Sequence, residues 1–112
     1  MREEVKAVAG ETELVYKIDR IELEGTGSPP VHYLIKVTGS VLRPNYKNPV
    51  LIIKSTTPDA QGNLTYYFAA DPPVGGSLGQ AVPIEAKRYL YELQNVRTIT
   101  VVGATNDMQK SL

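Results

Sequence analysis

The sequence predicts an all-β fold, an antiparallel sandwich of about six to eight strands, and three observations support this prediction. Apolar residues or glycine occupy every odd position from Val31 to Val41. This period of two places those side chains on one face of a strand. Similar alternating runs recur along the chain. Segments rich in Pro, Gly, Asn and Asp separate the runs and favour turns.

The first elements are an N-terminal segment and two strands. Residues 1–10 form a loose segment or an edge strand, and residues 12–24 form a strand. The apolar phase of that strand slips by one residue, which predicts a β-bulge near Asp19 and Arg20. A turn rich in Gly and Pro then leads to the long strand 31–43.

A loop bounded by two prolines, Arg43–Pro49, ends this strand, because Pro cannot donate to a strand ladder. Residues 50–57 are predicted to form a third strand. Its first half is apolar on both faces, which is typical of a central, covered strand. The turn after it contains Gly62 and Asn63, either of which can adopt a positive φ.

The second half of the chain adds a crossover and an ambiguous segment. The fourth strand, 64–70, is followed by a connection at 71–79 that suits a crossover between two sheets. Residues 82–94 fit both an alternating strand and an apolar helical stripe. The spacing of the other strands favours the strand, and an α+β fold with one helix at about 83–94 is the alternative. Residues 96–105 form the last predicted strand.

These elements predict one sandwich domain over residues 11–105 and a C-terminal tail at 106–112. Short strands with turns every 8–12 residues or so, and a proline-rich crossover, are typical of an immunoglobulin-like Greek-key sandwich. The phases of the alternating runs predict the apolar core. Its members are Tyr33, Ile35, Val37, Ile52, Phe68, Ile99 and Val101.

A series of short motifs runs along about two-thirds of the chain, among them Val37–Val41, Pro49–Leu51, Phe68–Ala70, Pro83–Ala86 and Val96–Ile99. This pattern resembles a group of small, uncharacterised bacterial proteins that look like β-sandwiches. The resemblance implies a sandwich fold and a strand within residues 82–94. It implies no activity and no site residues.

Composition argues against several classes of function. The chain of 112 residues has no cysteine, which excludes disulfides, thiolate metal sites and cysteine nucleophiles. Its formal net charge is zero, so we expect no nucleic-acid partner, although residues 25–58 carry four basic residues and no acid. No apolar run has membrane-spanning length and no signal peptide is evident. We therefore expect no membrane partner, and either a cytoplasmic protein or the mature form of an exported one.

The sequence predicts no enzyme. His32 is the only histidine, and no serine lies in the strand–elbow–helix context of a hydrolase nucleophile. An enzyme that uses acids alone, such as the pair Glu85 and Glu92, is a remote hypothesis because these residues share no obvious cleft.

Metal and cofactor sites are also not expected. Asp59, Asn63 and Asp71 are the best calcium hypothesis, since they would lie at the end of a sandwich. Calcium needs about six to eight oxygen ligands, and these segments offer few acids. Asp59 and Asn63 are also typical turn residues that bond to their own backbone.

A non-enzymatic protein-interaction or binding module is the leading functional hypothesis. Tyr46 lies in the middle of the proline-bounded loop, between Arg43 and Lys47. A stiff loop with an aromatic tip loses little entropy on binding, and aromatic and arginine side chains supply much contact energy. These three residues are therefore the candidate contact site for a protein partner or a second copy of the chain.

A carbohydrate-binding module is the alternative. It needs an exposed aromatic platform, which four tyrosines offer in a chain without tryptophan: Tyr66, Tyr67, Tyr89 and Tyr91. Tyr66 and Tyr67 point to opposite faces of a strand, so we expect at least one of them to face outward. Tyr89 and Tyr91 share a face if their segment is a strand. Two coplanar exposed tyrosines would favour sugar binding, and a protruding loop at 43–49 would favour a protein partner.

Overall fold

The computed structural model describes residues 12–25, 32–55, 57–73, 79–91 and 95–112, which contain eight strands and no helix. The strands are β1 (Glu13–Leu14), β2 (Lys17–Gly25), β3 (Tyr33–Val41), β4 (Lys47–Ile53), β5 (Asn63–Asp71), β6 (Val82–Leu90), β7 (Thr98–Val102) and β8 (Asp107–Ser111). They form two sheets that pack on each other, so the prediction of an all-β sandwich is confirmed. Residues 1–10 lie outside the described residues.

The two sheets differ in size. The larger one has β5 at its centre, with β4 on one side and β1, β7 and β8 on the other, and the smaller one has the order β2–β3–β6. β5 and β6 therefore lie in different sheets, which confirms the crossover predicted between them. Among the described strands all pairs are antiparallel except β5–β7. This parallel pair departs from the predicted antiparallel order, because the chain leaves the larger sheet to form β6 before it returns as β7.

The ambiguous segment is a strand in its described part. β6 pairs with β3 in continuous antiparallel register from Val82 opposite Val41 to Leu90 opposite Tyr33. The helix alternative is therefore wrong for residues 82–90, while 92–94 lie outside the described residues. Even-numbered side chains of β6 turn toward the other sheet, and odd-numbered ones, including Tyr89, turn outward.

The third predicted strand differs from the observed one. β4 begins at Lys47, so Pro49 lies inside the strand, within a register shift between Lys47 and Val50. Such a bulge on an edge strand accommodates Pro, because no ladder hydrogen bond is required there. Among the described strands β4 pairs only with β5, so it is an edge strand and not a central one. It is apolar on both faces because Leu51 enters the core while Ile52 packs in a small outer cluster.

The last predicted strand, 96–105, corresponds to β7, and a further strand follows it in the predicted tail. β7 ends at Val102, a turn closed by the hydrogen bond from Gly103 N to Asn106 O (2.8 Å) follows, and β8 runs antiparallel to β7. Residues 106–112, predicted to be a tail, therefore contain an edge strand. The sequence gives little signal for β8 because most of its side chains are exposed and polar.

The core lies between the sheets and agrees with the predicted set at five of seven positions. Ile35, Val37, Phe68, Ile99 and Val101 are fully buried. Of the other two predicted residues, Tyr33 is half-buried at the edge of the core. The prediction for Ile52 is wrong, because its register partner is Tyr67 on the outer face of the larger sheet.

Single side chains join the two sheets at their edges. On one side the amide of Asn106 accepts a hydrogen bond from Ile18 N (2.7 Å) and donates one to Ile18 O (2.9 Å). This contact lies where the register of β2 shifts between Ile18 and Arg20, which confirms the predicted bulge. On the other side Arg88 Nη1 of β6 donates to Leu51 O of β4 (2.7 Å).

Candidate binding groove

A groove of about 730 Å³ opens at one end of the sandwich, where β4 and β6 end and β5 and β7 begin. The turn 57–62 and residues 95–97 also line it. The side chains with aromatic or cationic groups are Tyr66, Arg88, Tyr89, Tyr91 and Arg97. The groove therefore joins aromatic surface to positive charge.

The turn that forms one wall is held by its own hydrogen bonds. Asp59 Oδ1 accepts from Gln61 N and from Asn63 N, both at 2.9 Å. Gly62 has φ 83°, which confirms the predicted positive φ at this turn. Gly62 O in turn accepts from Arg97 N (2.7 Å), so this wall and the segment before β7 are fixed together.

Tyr89 and Tyr91 form an exposed aromatic pair at the groove. They are 54% and 61% exposed, and their rings stack with centroids 5.7 Å apart and planes 23° apart. The His32 ring meets Tyr91 edge-on, with a centroid distance of 4.8 Å. These contacts restrict the ring of Tyr91, so the aromatic surface is ordered before any ligand binds.

Tyr66 lies beneath this surface and is 1% exposed. The guanidinium carbon of Arg88 lies 5.5 Å from the centre of its ring, a cation–π distance. The Tyr66 hydroxyl forms no hydrogen bond with the residues that the structure describes. Burial raises the pKa of Tyr66, and this effect outweighs the nearby positive charge of Arg88, which acts to lower that pKa. The hydroxyl therefore stays protonated and can donate a hydrogen bond.

Arg88 and Arg97 give the groove its positive charge. Arg88 is held by the Leu51 carbonyl, while Arg97 is exposed. The stem of Arg97 packs on Gly62, so closely that a Cβ atom there would lie 2.9 Å from Arg97 Cγ. Neither arginine forms an ion pair with a carboxylate within the described parts of the chain. Both guanidinium groups therefore have donors left for a ligand.

The loop residues predicted to contact a protein are placed differently from that prediction. The Tyr46 hydroxyl donates to Glu13 Oε1 (2.9 Å) and accepts from Arg43 Nη2 (3.3 Å), and its ring packs on the core. Burial is the main cause that raises the pKa of Tyr46. Tyr46 is thus a bracing residue and not an exposed tip. Lys47 is exposed at the start of β4, and a contact role for Arg43, Tyr46 and Lys47 remains a prediction.

The four tyrosines predicted as a sugar platform separate into two pairs. Tyr89 and Tyr91 are exposed together, as their spacing in a strand predicts. Tyr66 and Tyr67 point to opposite faces of β5, as expected, but both are buried. Tyr66 enters the core, and Tyr67, 8% exposed, faces outward but is covered by the outer cluster around Ala69.

The proposed calcium ligands do not meet. Asp59 and Asn63 lie at one end of β5 and Asp71 at the other, about 27 Å apart for a nine-residue strand. Asp71 accepts hydrogen bonds from Asn48 Nδ2 (2.8 Å) and Thr12 Oγ1 (3.0 Å), which lower the pKa of Asp71. Among the described residues no group of three or more His, Asp and Glu side chains is placed to hold a metal.

The acid pair proposed for an enzyme is not seen as a pair. Glu85 forms an ion pair with Lys36 (3.2 Å) on the outer face of the smaller sheet. Glu92 lies outside the described residues.

No family model, no curated protein and no solved structure matches this chain. In the part of the chain that the structure describes, no helix is long and apolar enough to cross a membrane.

Proposed function

We propose that this protein is a non-enzymatic binding module that binds a saccharide in the groove, with Tyr89 and Tyr91 as the stacking surface. The observation that carries this proposal is the pair of neighbouring tyrosine rings, each more than half exposed. Large apolar side chains are normally covered, so an ordered exposed pair beside a groove indicates a recognition surface.

The chemistry of the groove supports a saccharide as the ligand. A pyranose ring has an apolar C–H face that packs on an aromatic ring and a rim of hydroxyls that need hydrogen bonds. Tyr89 and Tyr91 offer the first contact, and the Tyr66 hydroxyl and the arginine donors offer the second. A volume of about 730 Å³ lies in the usual range for small-molecule sites.

The finer class of the sandwich belongs to the same proposal. We infer an immunoglobulin-like domain related to the small bacterial proteins that the sequence resembles. The two packed sheets and the crossover between β5 and β6 support this relationship. In such domains the loops at one end of the sandwich often carry the binding site, and the groove lies at such an end.

Binding of a protein partner beside residues 43–49 is the second candidate. Its support is the run Lys47–Val50 on the edge strand β4, where every residue is exposed and Val50 is 42% exposed. An exposed edge with an apolar side chain can pair with another chain. Lys47→Glu with Val50→Asp tests this candidate without disturbing Tyr46. Self-association or partner capture that survives this double variant contradicts it.

The saccharide proposal is tested by screening the intact protein on a glycan array and measuring the best ligand by calorimetry. Tyr89→Ala with Tyr91→Ala should weaken binding about tenfold or more, since each aromatic contact is worth about 0.5–1.5 kcal/mol. The melting temperature should change little because both rings are exposed. Tyr16→Ala is the matched control, because Tyr16 is 42% exposed but does not line the groove. Equal affinity of the double variant and the wild type would refute the proposal.

A further inference from the structure

The charged residues of the groove indicate which class of saccharide it binds. Its described lining contains two guanidinium groups and a single carboxylate, that of Asp59. Asp59 Oδ1 is already the acceptor for two backbone N–H groups of its own turn. Among the described lining residues positive charge therefore exceeds negative charge, and a neutral sugar would not interact with that excess.

The arginine nearest to solvent is also held in place before binding. Arg97 N donates to Gly62 O (2.7 Å) and Arg97 O accepts from Leu112 N (3.0 Å), so its backbone is fixed on both sides. Its side-chain stem packs on Gly62. The cost of ordering a long side chain on binding is therefore reduced, and the planar fork suits a carboxylate.

We propose, on the basis of the saccharide-binding function above, that the natural ligand is an acidic saccharide whose carboxylate is bound by Arg97. The sugar face packs on Tyr89 and Tyr91. The Tyr66 hydroxyl and the remaining donors of Arg88 bind ring hydroxyls. A uronic acid unit combines these three features, because it carries an apolar face, hydroxyls and one carboxylate on a single ring.

The alternatives with similar chemistry fit less well. Single-stranded nucleic acid also stacks on aromatic rings, but it needs a positively charged groove that follows many phosphates. Beyond Tyr89 the register continues across the sheet to Leu34 and then to Glu24, so a carboxylate lies on the same face. An acidic peptide satisfies Arg97 but offers no flat apolar face next to its carboxylate.

The test compares two ligands that differ only in charge. The full-length protein is titrated with trigalacturonate and with its methyl ester, at low and at high salt. The acid should bind about tenfold more tightly than the ester at low salt, and this preference should shrink as salt is added. Arg97→Gln should remove the preference for the acid over the ester, while Arg97→Lys should keep part of it. Arg20→Gln, an exposed arginine outside the groove, is the matched control.

Each outcome decides between the two proposals. Equal binding of acid and ester, both lost in the Tyr89→Ala, Tyr91→Ala variant, overturns the carboxylate contact and leaves saccharide binding standing. Absence of binding to both ligands, together with an empty glycan array, overturns both proposals. Tighter binding of oligo(dT) or poly-glutamate than of trigalacturonate also overturns this inference, because it assigns the groove to another class of ligand.

Discussion

Replacing Asn106 tests whether one side chain holds an edge of the sandwich closed. Its amide bonds both polar groups of Ile18, with N···O distances of 2.7 and 2.9 Å. Ile18 is fully buried and lies at the bulge of β2. Asn106→Ala therefore leaves a buried N–H and a buried C=O without their partner. The Asn106 amide thus supplies the two hydrogen bonds that a neighbouring strand would otherwise make to Ile18.

The expected loss follows from the two bonds. A net hydrogen bond contributes about 0.5–1.5 kcal/mol, and a buried polar group left unpaired costs about 1–3 kcal/mol. We expect Asn106→Ala to lower the free energy of unfolding by about 2–3 kcal/mol. For a domain of this size, that loss corresponds to a fall in melting temperature of roughly 10 °C.

Urea and thermal unfolding followed by far-UV circular dichroism measure the effect of Asn106→Ala. Gln80→Ala is the matched control, because Gln80 is exposed and its amide bonds none of the described residues. Asn106→Asp keeps an acceptor for Ile18 N but offers no donor to Ile18 O, so it should not restore stability. A loss below about 0.5 kcal/mol for Asn106→Ala, the usual scatter of surface substitutions, would refute the assigned role.

Two further predictions concern the packing between the sheets. Ile35→Ala should lower the free energy of unfolding by about 2–5 kcal/mol, because Ile35 is fully buried, and an unchanged urea midpoint would contradict the assigned core. Gly39→Ala should destabilise by about 1–3 kcal/mol, since its Cβ would lie 2.5 Å from Lys17 O and 3.1 Å from Phe68 Cε2. Gly25→Ala is its control, because the nearest atom, Tyr33 Cε1, is at 3.5 Å, and equal melting temperatures for the two variants would contradict the close approach at Gly39.

The sequence predicts strands well where one face is buried and the other is solvated. β3 is such a strand, and the slip in phase along β2 correctly locates a bulge, since a bulge shifts the alternation by one residue. The prediction fails where both faces of a strand share the same polarity. β4 is apolar on both faces although it lies at an edge, because a second small cluster covers its outer side. β8 is exposed along most of its length and carries almost no apolar signal.

The candidate site is only partly predictable. The spacing of Tyr89 and Tyr91 is enough to place them on one face of a strand. The place of Arg97 in the same groove depends on the parallel pairing of β5 and β7, which brings the turn before β5 beside the segment before β7. That pairing is non-local and leaves no periodic trace in the sequence. The hydrogen bond from Tyr46 to Glu13 is equally non-local. Because the sequence pattern does not reveal this bond, it predicts that Tyr46 is an exposed loop tip.

The two edges of the sandwich have different consequences for the groove. Asn106 closes one edge far from it, but Arg88 closes the other edge through Leu51 O and also lines the groove above Tyr66. A change at Arg88 therefore alters the packing of β6 against β4 and the ligand surface together. Loss of binding in such a variant does not distinguish a missing ligand contact from a displaced strand.

Three other positions in the groove, Arg97, Tyr89 and Tyr91, have exposed side chains, and the aromatic pair lies on the outward side of its strand. Substitutions at these three positions separate binding from folding, because the contacts they remove face the groove and not the core.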